Sequence, residues 1–190
     1  MAKLFFFIGL PRSGKSLMAK RWLERKITFL DNNCYTEKNG CCGGKCEKDL
    51  VPRIVVCADD IRLALGHRWN GLVEPYVNAT KLVMIRTLLQ KHDVLVDGTH
   101  TTTRSIGELL NIDKGAIPYI MNILPNECKR RAKETNQTDL YPVIDRMHNQ
   151  LLSLSNSTLD NQYYSYDFIV RINDKINDMR SKVISNEIRE

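Results

Sequence analysis

Gly9-Leu10-Pro11-Arg12-Ser13-Gly14-Lys15-Ser16 fits the pattern G-x-x-x-x-G-K-[ST], the spacing of a phosphate-binding loop. The residue types suit that chemistry. Glycines let the backbone N–H groups turn inward, and the N-terminus of a following helix adds partial positive charge, so the nest suits a polyphosphate. Gly9, Arg12, Ser13 and Gly14 would shape the cradle. Lys15 would reach the β and γ phosphates, and the Ser16 hydroxyl would ligate Mg²⁺. The apolar run Leu4-Phe5-Phe6-Phe7-Ile8 precedes the motif and reads as a buried strand. Leu17, Trp22, Leu23 and Ile27 after it can share a helical face, which gives the strand–loop–helix context the motif requires.

Asp59 and Asp60 supply carboxylates after the apolar run Ile54-Val55-Val56-Cys57. Phosphoryl transfer needs positioning, charge neutralisation and a carboxylate to take the proton of the attacking hydroxyl. Asp59 is read as ending the strand, and Asp60 as opening a short helix whose N–H groups it caps. Arg62 follows Asp59 by three residues, so one helical turn brings both to one side. A carboxylate for a hydroxyl beside a guanidinium for an acceptor phosphate is a productive pair. Asp97 ends another apolar strand, where it can serve Mg²⁺ directly or hydrogen-bond to the loop. His100 follows it and reads as a hydrogen-bonding residue rather than a base.

Two further clusters stand out. In Lys129-Arg130-Arg131-Ala132-Lys133 the cations cannot all point one way on a helix. One or two would face the site, as a lid whose arginine neutralises the transferred phosphoryl group and whose closure excludes water. Cys34, Cys41, Cys42 and Cys46 lie in a polar, glycine-rich stretch over residues 31–53. A segment this short cannot build a core, and four thiolates could hold structural Zn²⁺ tetrahedrally. The adjacent Cys41 and Cys42 depart from a paired C-x₂-C knuckle, and free thiols in a loop are the alternative.

Strand candidates alternate with helical stretches in the elements that must position these residues, the pattern of a parallel sheet in an α/β protein. Five strands are expected, near residues 4–8, 54–57, 94–96, 119–124 and 167–172. In open parallel sheets ligands lie beyond the carboxyl ends of the strands. The phosphate loop, Asp59-Asp60, Asp97-Gly98-Thr99-His100 and the basic run all follow strand ends.

The bulk properties narrow the class. A chain of 190 residues favours one domain with a real core. Its 28 basic against 22 acidic residues give +6, compatible with a polyanionic partner without demanding one. No apolar run approaches the ~18–20 residues of a membrane span. No secretory signal is visible, so a cytoplasmic protein is expected, in which six cysteines do not form a disulfide framework. Trp69, Tyr163 and Tyr164 could stack on bases, although aromatic residues so placed more often pack.

Together these motifs resemble the phosphate-loop 5′-polynucleotide kinase family, the bacteriophage-type kinase domain. The matching pieces are the loop, Ala58-Asp59-Asp60-Ile61-Arg62, Val96-Asp97-Gly98-Thr99-His100, and the basic run followed by Tyr141-Pro142-Val143-Ile144-Asp145-Arg146-Met147. The resemblance implies a three-layer α/β phosphate-loop kinase fold over residues 1–190, with a lid near 126–141 and the insertion at 31–53. It implies ATP and Mg²⁺ as reactants at Lys15 and Ser16, and Asp59 as general base on a 5′-hydroxyl. Arg62 would hold the phosphate next to the acceptor nucleoside, and Arg130 or Arg131 would hold the ATP phosphates. The implied acceptor is nucleic acid, DNA in preference to RNA, at a 5′ end or at a hydroxymethylated base, in a bacterial host cell if the chain is phage-encoded. A small-molecule kinase and a non-catalytic nucleotide-binding module are the rival readings.

Overall fold

The computed structural model describes residues 2–25, 27–29, 35–37, 51–66, 69–155 and 166–187. Its main sheet has four strands in the order β4-β5-β1-β6: β1 (Leu4–Ile8), β4 (Arg53–Cys57), β5 (Asp93–Asp97) and β6 (Ile117–Ile120). A separate antiparallel pair joins β2 (Ile27–Phe29) to β3 (Tyr35–Glu37). The helices are α1 (Lys15–Leu23), α2 (Ala58–Ala64), α3 (Glu74–Leu88), α4 (Thr103–Leu110), α5 (Pro125–Glu134), α6 (Tyr141–Leu154) and α7 (Tyr166–Glu187). This is an α/β fold built on a parallel sheet.

The chain groups into two compact units. One comprises Met1–Phe6, Ser16–Gly98 and Gly115–Tyr119; the other comprises Phe7–Lys15, Thr99–Lys114 and Ile120–Glu190. In the first, β5 pairs in parallel with both β1 and β4, with Phe5 opposite Leu95 and Cys57 opposite Asp97. Strands buried on both faces read as continuous apolar runs, and Leu4, Phe6, Val94, Leu95 and Val96 are all at most 1% exposed. Trp22 closes this core edge-on to Phe5, with ring centroids 5.7 Å apart. The Arg53 guanidinium lies 4.9 Å from the Trp22 ring and donates to the Trp22 carbonyl at 2.7 Å.

In the second unit, α4 begins at a capping Thr102, whose hydroxyl accepts the Ser105 N–H at 3.2 Å. Its Ile106, Leu109 and Leu110 are fully buried. Pro125 opens α5 and Pro142 lies in the first turn of α6, positions where the missing N–H costs no helical bond.

Two expectations are corrected here. The segment expected as a fifth strand, 167–172, is the start of α7; among the described residues the main sheet has four strands. Phe168, Ile172 and Ile176 are buried at a spacing of four, a helical stripe, whereas the run Phe168-Ile169-Val170 alone imitates a strand. The expected strand at 119–124 is β6, which ends at Ile120. The four cysteines of the proposed zinc site, Cys34, Cys41, Cys42 and Cys46, lie outside the described residues. Among the described residues no group of three His, Cys, Asp or Glu side chains is gathered to hold a metal, and no helix is long and apolar enough to cross a membrane.

Candidate functional site

Gly9–Lys15 of the loop and α5, the helix expected to act as a lid, belong to the same unit. The loop follows β1 directly, and its path needs two left-handed residues, Arg12 at φ 63° and Gly14 at φ 95°. Gly9 is required for a different reason. A Cβ there would lie 2.7 Å from the Cβ of Met121, closer than two carbons can approach. Backbone bonds fix the loop's base: Gly9 N–H donates to Thr99 O at 2.9 Å, and Met121 N–H donates to Ile8 O at 2.8 Å.

Lys15 is buried and turns back over the loop. Its ammonium donates to Leu10 O at 2.5 Å, and to Gly9 O and Ser13 Oγ at 3.4 Å. The loop's own carbonyls thus hold the cation where a phosphate would compete for it.

The lid is tied to this loop. Arg131 Nη1 donates to Arg12 O at 3.3 Å, while Arg12 Nη2 donates to Arg131 O at 3.4 Å and to Thr135 Oγ1 at 2.8 Å. Arg131 Nη1 also lies 3.8 Å from where a Gly14 Cβ would stand. Arg130 points elsewhere. It bonds Glu127 through Nε at 2.7 Å and Nη2 at 2.8 Å, and bonds Glu134 through Nη1. Of the two lid candidates, Arg131 reaches the phosphate loop and Arg130 faces solvent. Glu127 also accepts from Arg131 Nε at 2.7 Å. Hydrogen bonds from Arg130 and then Arg131 hold its carboxyl down at about 2. Lys129 pairs with Asp145 at 2.6 Å and joins α5 to α6. On the buried face of α5 itself, burial pushes the Cys128 thiol up to about 11, against the opposing pull of Lys15 and Arg131.

His100 makes a buried hydrogen bond to the strand that precedes the loop. It is buried at φ 40°, and its Nδ1 lies 2.8 Å from Phe7 O. A carbonyl can only accept, so Nδ1 carries the proton.

The carboxylate and guanidinium cluster belongs to the other unit. The sequence places Asp59 at the strand end, but α2 already begins at Ala58, so Asp59 and Asp60 both lie in its first turn. Neither is its N-cap; Cys57 holds that position without a side-chain bond. Burial raises the Cys57 thiol, and N–H groups of Asp60 and Asp59 oppose the shift. The Asp59 side chain is 86% exposed and bonds Arg62 Nη1, as the three-residue spacing predicts. Arg62 is also gripped by a residue the sequence reading passed over. Its Nε donates to Glu74 Oε1 at 2.6 Å and its Nη2 to Glu74 Oε2 at 3.0 Å. This fork raises the Arg62 pKa above its ordinary value against the opposing effect of burial, and Asp59 adds to the rise. Glu74 opens α3, and its only sequence signal is an acidic residue at a helix start. Asp97 faces Cys57 in the β4–β5 register, so the carboxylate that ends β5 and the start of α2 share one sheet edge. The Ser16 hydroxyl and the Asp97 carboxylate are oxygen donors of the kind Mg²⁺ accepts. Trp69 is 74% exposed rather than packed, and Tyr163 and Tyr164 lie outside the described residues.

A chain in the structure of a Pnkp1/Rnl/Hen1 RNA repair complex matches with a TM-score of 0.60 at 18% identity, over 85% of this chain and 47% of that one. A second Pnkp1/Rnl/Hen1 complex matches at 0.50 and 20% identity, over 68% and 39%. A gluconokinase from Sinorhizobium meliloti aligns at 0.46 and 11% identity, over 99% and 97%. The chain therefore spans less than half the length of the two repair-complex chains it matches. The fold is shared. No family model matches the sequence, and no curated protein matches it.

Proposed function

We propose that this chain is an ATP-dependent kinase that transfers the γ-phosphoryl group to a hydroxyl on nucleic acid. The observation that carries this reading is the state of Arg62. Three of its five N–H donors are engaged by Glu74 and Asp59, leaving two for an acceptor phosphate. A guanidinium oriented in this way suits an acceptor that brings a phosphate of its own, as the nucleotide next to a reacting end does.

The roles follow from the side chains. The loop N–H groups and Lys15 bind the donor phosphates, and Lys15 exchanges its carbonyl partners for phosphate oxygens. Arg131 neutralises the charge that spreads over the transferred group. When bound, Mg²⁺ supplies charge neutralisation on the phosphates, with Ser16 and Asp97 as its protein oxygen donors. One Asp59 oxygen is fixed by Arg62, and the other accepts the proton of the attacking hydroxyl. The resemblance favours a DNA acceptor, at a 5′ end or a hydroxymethylated base. The likeness to a chain of an RNA repair complex puts RNA beside it.

The test is a panel of 5′-hydroxyl DNA, 5′-hydroxyl RNA, hydroxymethylpyrimidine DNA and free nucleosides, each with Mg²⁺ and γ-labelled ATP. Label is expected on a polynucleotide. Label on free nucleosides alone would overturn the nucleic-acid reading in favour of a small-molecule kinase, and ATP binding without transfer to any acceptor would favour a regulatory module. Asp59→Asn should lower transfer by about 10²–10⁴-fold and leave ATP binding intact.

A further inference from the structure

The unit that holds the phosphate loop also contains an open groove of about 820 Å³ that none of the roles above uses. One wall is a single stripe of α6. Asp145, Arg146, Asn149, Gln150 and Ser153 recur at three- and four-residue steps and line it, while Ile144 and Leu151 of the same helix are buried in the core. The other wall comprises the threonines that lead into α4 and Lys175 of α7.

The lining is rich in donors. Thr101 Oγ1 donates to Gln150 Oε1 at 2.6 Å, so what Gln150 can still offer a ligand is its N–H₂ group. Asn149 adds an amide, Thr103 a hydroxyl, and Arg146 and Lys175 two cations. The carboxylate in the lining, Asp145, is already neutralised by Lys129 at 2.6 Å. The groove surface is mainly apolar, from Pro142, Leu154 and the aliphatic parts of its other residues, with N–H donors and two cationic residues among its walls. That combination fits a ligand that carries repeated oxyanions on an amphipathic scaffold.

We infer that this groove binds the phosphodiester backbone of a single-stranded polynucleotide, with Arg146 and Lys175 each pairing with a phosphate. The inference rests on the nucleic-acid reading above and deepens it, because it names the polymer's phosphates as what the groove recognises. Two such contacts predict a measurable salt dependence. Each phosphate neutralised on a single strand contributes about 0.7 to the slope of log K against log salt, so removing both lowers the slope by about 1.4.

The experiment is direct binding of a fluorescent, 5′-phosphorylated single-stranded oligonucleotide, read by anisotropy across a salt series. The proteins compared are the wild type, Arg146→Gln with Lys175→Gln, and Arg146→Glu with Lys175→Glu. Arg146 is exposed and Lys175 half-buried, and matched thermal melts select the variants that remain folded. The charge-reversed protein should bind at least about tenfold more weakly, the neutral one should show the reduced slope, and both should keep wild-type ATP affinity. Equal oligonucleotide binding by all three proteins would overturn the inference. Competition by adenosine monophosphate as strong as by the oligonucleotide would overturn it in favour of a mononucleotide site. Equal competition by polyglutamate would reduce the groove to unselective attraction for anions, which also overturns it. The binding readout needs no transfer. If only free nucleosides are phosphorylated while oligonucleotide binding depends on Arg146 and Lys175, the acceptor assignment falls and the groove stands. If polynucleotides are phosphorylated while the variants bind them unchanged, the groove falls and the acceptor assignment stands.

Discussion

Glu74 holds Arg62 in a two-pronged grip, Oε1 to Nε at 2.6 Å and Oε2 to Nη2 at 3.0 Å, across twelve residues of sequence. Under the proposed function Glu74 is a positioning residue, acting on the acceptor through the arginine it holds. Charge-assisted bonds of this kind contribute about 1.5–3 kcal/mol. Glu74→Gln should thus lower kcat/KM for a phosphate-bearing acceptor by about 10- to 100-fold and leave ATP affinity unchanged. In a double-mutant cycle with Arg62→Ala, the double variant should lose little more than Arg62→Ala alone. Fully additive losses would separate Glu74 from Arg62.

The lid arginines should differ sharply. Arg131 reaches the Arg12 carbonyl of the phosphate loop at 3.3 Å, whereas Arg130 is occupied by exposed glutamates. Arg131→Ala should cost about 10²–10³-fold in kcat, the usual loss when a charge-stabilising donor is removed. Arg130→Ala should stay within about threefold, because exposed ion pairs contribute little. Steady-state kinetics at saturating ATP decides this, and comparable losses for the two variants would refute the assignment.

Gly9→Ala should destabilise the fold without touching any charge. The added methyl would meet the Met121 Cβ at 2.7 Å. Overpacking of this sort costs about 1–3 kcal/mol, which in a chain of this size lowers Tm by about 2–12 °C. Met121→Ala should not relieve the defect, because alanine keeps the offending Cβ; Met121→Gly should. Calorimetry of the three proteins tests the steric account, and rescue by Met121→Ala would contradict it.

Cys128 predicts a feature on the alkaline side. Burial holds its thiol proton to about 11, against an ordinary value of 9.0. As pH rises from 9 towards 11, the unfolded chain releases this proton and the folded chain retains it. The unfolded state is favoured, so stability falls across that window and is unaffected below it. Urea denaturation along a pH series should show a shallower alkaline decline for Cys128→Ala than for the wild type. Parallel profiles would mean that the thiol titrates normally.

The parts legible in the sequence were those carried by local spacing. The loop motif, the strand before it and the helix after it were readable, because each is specified by adjacent residues. The Asp59–Arg62 contact was readable from a three-residue step. Glu74 was not, because its meeting with Arg62 depends on how α3 returns against α2, and no spacing rule reports that. The choice between Arg130 and Arg131 was lost for a related reason: neighbouring helical residues differ by about 100° in direction, and only the docked helix fixes which one faces the loop. At α7 the misreading came from length. Phe168-Ile169-Val170 is too short a window to separate a helical stripe from a strand, while Ile172 and Ile176 supply the missing turns.

The paired arginines carry a consequence for building chimeras. Arg12 donates to the backbone of residue 131, and Arg131 donates to the backbone of residue 12, so each side chain is braced by the other's main chain. The two bonds join segments 119 positions apart, yet each acceptor is a main-chain carbonyl that any residue would supply. A helix grafted from another protein would still accept from Arg12, and only the return bond from the side chain at position 131 would be lost. A graft that carries arginine at that position would keep both.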